Sequence, residues 1–80
     1  MKIQIKYFAG LREKAGKNQE EITLQEVCDL KSIYLKLSGQ YHFPLSAHEI
    51  KYSVNNEYVE CSKIPCENDV VVFIPPVAGG

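Results

Sequence analysis

Polar and apolar residues alternate at the start of the chain. Residues 2–9, KIQIKYFA, place Ile3, Ile5 and Tyr7 on one face of an extended segment, and Phe8 falls on the opposite face with the polar residues. A period of two is typical of a strand that buries one of its faces. The pattern therefore predicts a first strand over residues 2–9.

Later segments have the short apolar runs of further strands. EEITL, at residues 20–24, predicts a strand that returns against the first as a hairpin. IKYSV and YVE, at residues 50–54 and 58–60, predict two strands joined by a turn at NNE. VVVFI, at residues 70–74, is apolar on both faces, which favours a position in the middle of the sheet.

One stretch between the predicted strands has the periodicity of a helix. Its apolar residues recur at steps of three and four: Val27, Leu30, Ile33, Tyr34 and Leu37. This spacing predicts an amphipathic helix from about residue 25 to residue 38. Acidic Glu26 and Asp29 suit the opening turn of this helix, and Gly39 suits its C-terminal cap.

The remaining segments are predicted to be connections. Residues 10–18 contain two glycines and an asparagine and leave room for at most a short helical turn. Asn68, in the loop before the last strand, suits a left-handed turn position. The order of hairpin, helix and further strands predicts an α+β domain in which one helix packs across a mixed sheet. We expect the domain to occupy residues 1–74 and a tail to occupy residues 75–80.

The composition narrows the classes of function. The chain has 80 residues, of which 45% are hydrophobic, and a formal net charge of −1 with interspersed signs. So small a core disfavours a deep pocket and therefore a self-contained enzyme. Without a basic cluster, nucleic acid is not an expected partner. No signal-peptide pattern or long apolar run is present, so we expect a soluble, cytoplasmic protein with no membrane partner.

The cysteines and histidines do not form a recognisable site pattern. Cys28, Cys61 and Cys66 lack paired C-x-x-C spacing, so neither a disulfide framework nor a zinc site is indicated, and no metal site is expected. His42 and His48 flank Phe43-Pro44 without a carboxylate or cysteine at ligand spacing. We interpret both histidines as surface residues.

The chain ends in two glycines, which raises the question of whether its terminus is functional. One interpretation is a frayed end. The other is that the carboxylate of Gly80 is the functional group, because glycine has no β-carbon and leaves the terminal carbonyl open to attack. Pro75 and Pro76 end the last strand, since proline has no backbone N–H, and they also stiffen the tail. From Ile74 to Gly80 an extended chain reaches about 23–25 Å.

Several motifs together resemble a known family. KYFAGLREKAG, with Phe8, Ala9, Arg12 and Glu13, resembles the opening strand and Phe-Ala-x-x-Arg-Glu signature of the sulfur-carrier small subunits of molybdopterin synthase. SVNNEYV is similar to the Val-Asn-x-x-Tyr-Val hairpin of that family, and FIPPVAGG is similar to its ending. Asn68 departs from the family, which often has glycine there. The resemblance spans nearly the whole chain and implies a ubiquitin-like β-grasp fold with about five strands on one main helix.

The resemblance also implies a function. In such a carrier Gly80 is adenylated by a separate ubiquitin-activating-type enzyme that uses ATP, and a sulfur donor then converts it to a thiocarboxylate. The thiocarboxylate donates sulfur to cyclic pyranopterin monophosphate in the large subunit of molybdopterin synthase, which forms the dithiolene of molybdopterin. The small subunit would have no catalytic side chains and no bound cofactor, and two small and two large subunits would form a heterotetramer. Val77, Ala78 and Gly79 would complete the inserted tail with the two prolines.

The strand pattern predicts where partners dock. With a single helix, one sheet face is left open, and Phe8, Val72 and Ile74 would lie on it beside the tail. Leu11 and Arg12 are expected near the edge of this face. The competing interpretation places these five residues in the core. The alternatives for function also stay open: a protein modifier joined through Gly80 to lysines, a sulfur carrier for thiamine or another metabolite, or an interaction domain with an inert tail.

Overall fold

The computed structural model describes residues 1–76, and within them the chain forms five strands and two helices. The elements follow the order β1, α1, β2, α2, β3, β4, β5. Their bounds are Lys2–Tyr7 for β1, Ala9–Ala15 for α1, Gln19–Thr23 for β2, Leu30–Tyr41 for α2, Lys51–Val54 for β3, Glu57–Val59 for β4 and Val70–Ile74 for β5. The fold is the α+β β-grasp expected from the sequence, with a second helix in addition.

The strands form one mixed sheet in the order β2-β1-β5-β3-β4. β1 and β2 pair antiparallel as the predicted hairpin, β5 runs parallel to β1, and β5 and β3 are antiparallel. The central position of β5 confirms the prediction made from its apolar character on both faces. Each predicted strand is present, and its bounds differ from the expected ones by at most two residues at either end.

Asparagines supply the tight turns around the last three strands. Asn55 and Asn56 have φ values of 51° and 73° and form a two-residue connection between β3 and β4. Two consecutive positive φ values are those of the hairpin turns that match the twist of antiparallel strands. Asn68 has a φ of 68°, and its N–H donates to the Lys2 carbonyl at 2.7 Å. Its predicted left-handed conformation is confirmed.

The main helix begins and ends later than its periodicity predicts. Asp29 is extended, and its carboxylate accepts a hydrogen bond from the Ser32 N–H at 2.9 Å, so α2 starts only after this cap. The expected start at residue 25 is therefore wrong, and Val27 is 75% exposed instead of lying on the buried face. Gly39 lies inside the helix, and His42, with a φ of 60°, ends it.

A second helix occupies the segment that was predicted to be a connector. α1 has seven residues, and Gly16 ends it in a left-handed conformation with a φ of 75°. Leu11 and Ala15 are the buried side chains of α1, and they belong to the same core cluster as the buried residues of α2. Both helices therefore pack on one face of the sheet, here called the covered face, and the opposite face is called the open face.

The covered face carries a core rich in aromatic rings. Tyr34 lies at its centre, with its ring 5.2 Å from that of Phe73 and 5.5 Å from that of Phe43. The hydroxyl of Tyr34 donates to the Leu45 carbonyl, and that of Tyr52 donates to the Ala47 carbonyl. A buried phenol hydroxyl without a hydrogen-bond partner is destabilising. These two bonds therefore allow the rings of Tyr34 and Tyr52 to be buried in the core without an unsatisfied polar group.

Candidate functional site

The open face is built from the side chains that alternate away from the core. In the strand register, Lys6 of β1 lies opposite Val72 of β5, Val72 lies opposite Ser53 of β3, and Ser53 lies opposite Tyr58 of β4. This row crosses four strands. One step further along β5, Ile74 lies opposite Lys51. The open face therefore has an apolar strip along β5 between rows of polar side chains.

A shallow groove of about 280 Å³ follows this strip. Its lining residues come from β1, the junction between β1 and α1, β3, the turn before β4, β4 and β5: Lys6, Phe8, Ser53, Asn56, Tyr58, Val70, Val72 and Ile74. The rings of Phe8 and Tyr58 are 47% and 74% exposed. Two exposed aromatic residues beside aliphatic side chains are typical of protein contact surfaces rather than of small-molecule pockets.

The charges around the groove are mostly positive. Lys6 and Lys51 are exposed and lie opposite Val72 and Ile74, respectively. Lys2 is further along β1, and its ammonium forms an exposed salt bridge of 3.9 Å with Glu21. Surface cations at the rim of an apolar strip favour a partner with acidic residues and speed its association.

The structure brings most of the expected docking residues to the open face. Phe8 is exposed and Ile74 is half-buried, whereas Val72 is buried, at 8% exposed, although it lies outside the core cluster. Arg12 is exposed on α1. The placement of Leu11 near this face is wrong, because α1 turns its side chain into the core, where it is 0% exposed.

The chain is strained where it passes from β1 to α1. Phe8 is extended, with φ −124° and ψ 153°, and Ala9 follows with a positive φ of 50°. A left-handed conformation costs a residue with a β-carbon about 1–2 kcal/mol. The Phe8 carbonyl nevertheless accepts the Leu11 N–H at 3.1 Å, which starts the helix directly after the strand. This tight junction holds the Phe8 ring at the edge of the open face.

The tail leaves the sheet from the open-face groove. β5 ends at Ile74, a lining residue of that groove, and Pro75 and Pro76 follow without strand pairing. Pro75 is half-buried and Pro76 is exposed. The other expected tail residues, Val77, Ala78, Gly79 and Gly80, lie outside the residues that the structure describes.

Sequence reasoning did not assign five of the groove residues to the docking face: Lys6, Ser53, Asn56, Tyr58 and Val70. Ser53 is only 6% exposed and lies between Val72 and Tyr58 in the register. The alternation in IKYSV, where Lys51 and Ser53 fall opposite Tyr52 and Val54, contained the signal for this placement. Tyr58 follows from the hairpin register, which depends on the two-residue length of the turn and is not fixed by the periodicity alone.

The largest pKa shifts occur on the covered face and not beside the groove. Burial, followed by a hydrogen bond to Glu20, raises the pKa of Tyr7 well above its usual value. Burial would raise the pKa of Glu20, but hydrogen bonds donated by Tyr7 and Tyr41 and the charge of Lys17 outweigh it, so its pKa is lowered. Both hydroxyls donate to Glu20 Oε2, at 2.5 Å and 2.7 Å, and this cluster ties the end of α2 to β2.

The cysteines and histidines take no part in the open-face site. Cys28 and Cys61 are half-buried, Cys66 is exposed, and all three are free thiols. His42 and His48 are exposed, which agrees with their interpretation as surface residues. Within residues 1–76, no three histidine, cysteine or acidic side chains are grouped so that they could hold a metal ion.

Comparison with known proteins identifies the family. The model of the ThiS family matches residues 5–80 of the chain. The chain belongs to the ThiS family. A curated relative from Mycobacterium tuberculosis (strain ATCC 25618 / H37Rv), named molybdopterin synthase sulfur carrier subunit, is 28% identical over 82 aligned positions, which cover 100% of this chain and 99% of the relative. The resemblance stated from the sequence motifs is thereby confirmed.

Solved structures of similar proteins have the fold of this ThiS-family chain. A molybdopterin converting factor subunit 1 from Pyrococcus furiosus is 27% identical, with a TM-score of 0.80 over 96% of this chain and 99% of that one. SAMP1 from Haloferax volcanii is 21% identical, with a TM-score of 0.78 over 100% of both chains. A complex of subunits 1 and 2 of molybdopterin-converting factor from Helicobacter pylori 26695 matches at 18% identity and a TM-score of 0.69, again over 100% of both chains.

The helices of the described region are short. α2, with 12 residues, is the longer of the two. Over residues 1–76, neither helix has the length and apolar character that crossing a bilayer requires.

Proposed function

We propose that this ThiS-family chain is the sulfur-carrier small subunit of a molybdopterin synthase and that its C-terminal Gly80 carries the sulfur. The observation that carries this proposal is the point where the tail begins: β5 is the central strand, and its last residue, Ile74, lies in the groove of the open face. A partner that covers the groove would therefore also receive the chain terminus. The Mycobacterium tuberculosis relative, named as a carrier subunit, matches over the full length and supports the same function.

The chemistry of the terminus explains why other proteins are needed. A terminal carboxyl has a pKa near 3.5, so at neutral pH it is a carboxylate and a poor electrophile. In the first step, a carboxylate oxygen of Gly80 attacks the α-phosphorus of ATP, and pyrophosphate leaves. Hydrosulfide then attacks the acyl carbon of the adenylate, AMP leaves, and the resulting thioacid loses its proton to give a thiocarboxylate. An adenylating enzyme would bind the ATP, so the carrier itself needs no catalytic side chain.

The second partner would be the large subunit of the synthase, where the thiocarboxylate sulfur attacks the pterin substrate. Residues 74–80, fully extended, span about 23–25 Å, which is enough to enter the interior of a neighbouring protein. The two prolines restrict the base of this segment and lower the conformational entropy lost on insertion. The absence of a β-carbon at positions 79 and 80 suits a narrow channel.

The apolar strip of the open face would dock each partner in turn. Its lysines at Lys6 and Lys51 favour acidic residues at the rim of both partners. Because one face serves both complexes, the activating enzyme and the large subunit would compete for the carrier. Loading and unloading would then be separate events, with release of the carrier between them.

Intact-mass analysis of the protein purified from its own cells tests the proposal. A fraction of the chain should be heavier by the difference between one sulfur and one oxygen atom, and fragmentation should place that change on Gly80. The matched control is a variant with Gly80 deleted, which should show no such species. Conjugates to the lysines of many proteins would instead favour a modifier, and a terminus with neither change would contradict both functions.

A pair of tail variants separates the carrier from a chain with an inert tail. A Gly80→Ala variant keeps the length and carboxylate of the tail but adds a β-carbon, and it should support molybdopterin formation poorly. A variant with one bulky residue added after Gly80 should not support it at all unless the extra residue is first removed. Normal cofactor synthesis with the untrimmed extension would refute the role of the terminus.

A further inference from the structure

One edge of the sheet has backbone groups with no strand to pair with. β2 is the first strand in the sheet order, so its outer side has no neighbouring strand within residues 1–76. Met1 and Leu24 exchange both of their backbone hydrogen bonds, and the Tyr7 N–H donates to the Asn18 carbonyl. Because bonded and non-bonded pairs alternate in an antiparallel ladder, the N–H and C=O groups of Gln19, Glu21 and Thr23 point outward.

A groove of about 550 Å³ lies beside this edge, between β2 and α2. Its floor is apolar: Ile22, Leu24, Ile33 and Leu37. Ile22 is only half-buried, and it packs against the core while presenting part of its side chain to the groove. Outward backbone groups beside an apolar channel suit one kind of ligand, an extended peptide that adds a strand and places alternate side chains in the channel.

The charges around the groove restrict the ligand further. Ser32, Lys36 and Gln40 follow one another at intervals of four along the helix wall. Lys36 forms no salt bridge with any described residue, whereas Glu20 pairs with Lys17 and Glu21 pairs with Lys2. Glu26 lies at the end of the groove before the start of α2. A carboxylate in the ligand would therefore be attracted most strongly to the position beside Lys36, about two turns along the helix from its start.

Two other segments could in principle pair with the β2 edge: β2 of a second copy of the chain, and the tail of the chain itself. Both fit the edge less well than a peptide from another protein. A second copy that paired all three outward residues of β2 would place Glu21 opposite the Glu21 of its partner, and like charges at directly opposite positions are destabilising. The chain's own tail begins with Pro75 and Pro76, which have no N–H groups for a ladder. A peptide from a different protein meets neither obstacle.

We propose that the β2–α2 groove is a second binding site, which takes an extended peptide segment with apolar side chains at alternate positions and an acidic side chain beside Lys36. This surface is separate from the open face, and the proposal does not depend on the proposed function of Gly80. A partner held here would leave the open-face groove and the tail free. The carrier could then be bound by a third protein while it is docked on one of its enzymes.

The test uses the full chain and the synthetic peptide acetyl-Asp-Asp-Ile-Thr-Val-Thr-Val-amide. An NMR titration should shift the amide signals of Glu21 and Thr23 and the methyl signals of Ile22 and Leu37. Hydrogen exchange at the Glu21 and Thr23 amides should slow as the peptide saturates the site. A control peptide N-methylated at both the first threonine and the valine after it lacks a ladder donor whether the added strand is antiparallel or parallel to β2, so it should bind at least about tenfold more weakly.

Thr23→Pro tests the strand pairing from the side of the protein. The Thr23 N–H points outward, so proline removes no bond of the β1–β2 ladder, and edge strands accept proline at such positions. Circular dichroism should be unchanged, and binding of the peptide should fall at least about tenfold. Thr23→Val keeps the N–H and should bind as the natural chain does. If Thr23→Pro does not fold, the N-methylated peptide still decides the question on the natural protein.

Lys36→Glu tests the charge preference. Binding of the acidic peptide should weaken about two- to fivefold, the range for an exposed ion pair, whereas Lys14→Glu on α1 should leave it unchanged. The proposal would be overturned by binding weaker than about 1 mM, by shifts confined to the open face, or by equal binding of the N-methylated peptide. Shifts of the Glu21 and Thr23 amides on raising the protein concentration alone would also overturn it, in favour of a second copy.

Discussion

The two faces of the sheet are made by the same strands but differ in what they contribute. On the covered face, β5 places Val71 and Phe73 in the core, each 0% exposed. On the open face, the same strand places Val70, Val72 and Ile74 along a shallow groove with lysines at its rim. One face therefore stabilises the fold, and the other keeps apolar side chains at the surface, where a partner can cover them.

The comparison explains how so small a protein can leave one whole face of its sheet outside the core. The core cluster draws on both helices and on β1, β3 and β5, with Ile22 of β2 and Val59 of β4 packed against it, and its buried tyrosine hydroxyls have partners. Among the described residues, no buried side-chain polar atom lacks a hydrogen bond. Because the covered face is well packed, the fold does not need a second layer on the open face, and the side chains there remain available for the docking proposed above.

Phe73→Ala and Val72→Ala compare the faces at adjacent positions of one strand. Removing the Phe73 ring leaves a cavity among Tyr7, Tyr34 and Tyr52, whose rings lie 5.2–6.4 Å from it, and should lower the free energy of unfolding by about 3–5 kcal/mol. Val72 is only 8% exposed but faces a shallow groove instead of the packed core, so Val72→Ala removes less buried surface and should cost about 1–2 kcal/mol. Urea unfolding measures both.

The outcome of that pair decides whether the distinction between the faces holds. Similar losses at positions 72 and 73 would mean that the open face also supports the fold, as the competing core interpretation requires. The natural chain and a conservative Phe73→Leu variant serve as references. Phe73→Leu should lie between the natural chain and Phe73→Ala, because it keeps part of the buried volume.

Glu20→Gln and Glu21→Gln make the same comparison with charge, since these neighbours lie on opposite faces. Glu20 accepts hydrogen bonds from Tyr7 and Tyr41 and forms a salt bridge with Lys17. Glu20→Gln should therefore lower the free energy of unfolding by about 1–3 kcal/mol at pH 7. Glu21 has only exposed contacts, to Gln4 and Lys2, and its loss should stay within about 0.5 kcal/mol.

The same pair predicts a pH dependence. The folded state lowers the pKa of Glu20, so its contribution to stability is present above its unfolded value of about 4.3 and is lost as the pH falls through the folded pKa. The natural chain and Glu21→Gln should therefore lose stability below about pH 4.3, measured by thermal unfolding, and Glu20→Gln should lose less. Equal acid sensitivity in both variants would show that Glu20 is not the group responsible.

Asp29→Ala tests how firmly the covered face depends on the start of α2. The Asp29 carboxylate caps the helix through the Ser32 N–H, and interactions first with the Ser32 side chain and then with this N–H lower the pKa of Asp29. Its removal should cost about 1 kcal/mol by thermal unfolding. Glu26→Ala, three residues before the cap, is the control and should change little. If both substitutions had the same small effect, the cap would not account for the late start of the helix.

The parts of the fold that the sequence predicted are those that follow from covalent geometry. The period of two along β1 and β5 separated Ile3 and Phe73 from Lys6 and Val72 correctly, since side chains of any strand alternate. The apolar character of VVVFI on both faces indicated its central position. The turns at Asn55 and Asn68 followed from the tolerance of asparagine for positive φ values.

The errors arose where two local signals competed. Val27 continues the apolar stripe of α2, but the side chain of Asp29 caps the helix two residues later and leaves Val27 exposed. Leu11 lies between two glycines that suggested a loop, although Gly10 lies inside α1 and Gly16 ends it. Without that helix, no sequence pattern showed that Leu11 turns into the core. The position of Tyr58 in the open-face groove also could not be predicted, because it depends on the register of the β3–β4 hairpin across its two-residue turn.

Phe8→Ser should have the smallest effect on stability and a clear effect on binding. The Phe8 ring is 47% exposed at the edge of the open-face groove, so the free energy of unfolding should change by only about 0.5 kcal/mol. If Phe8 anchors the large subunit, its loss should weaken that complex about tenfold, measured by calorimetry at constant salt. Leu35→Ser is the matched control: Leu35 is 52% exposed on α2, away from this groove, so it should change neither stability nor binding. Unfolding of Phe8→Ser would place Phe8 in the core after all, whereas a stable Phe8→Ser that binds normally would remove it from the docking face.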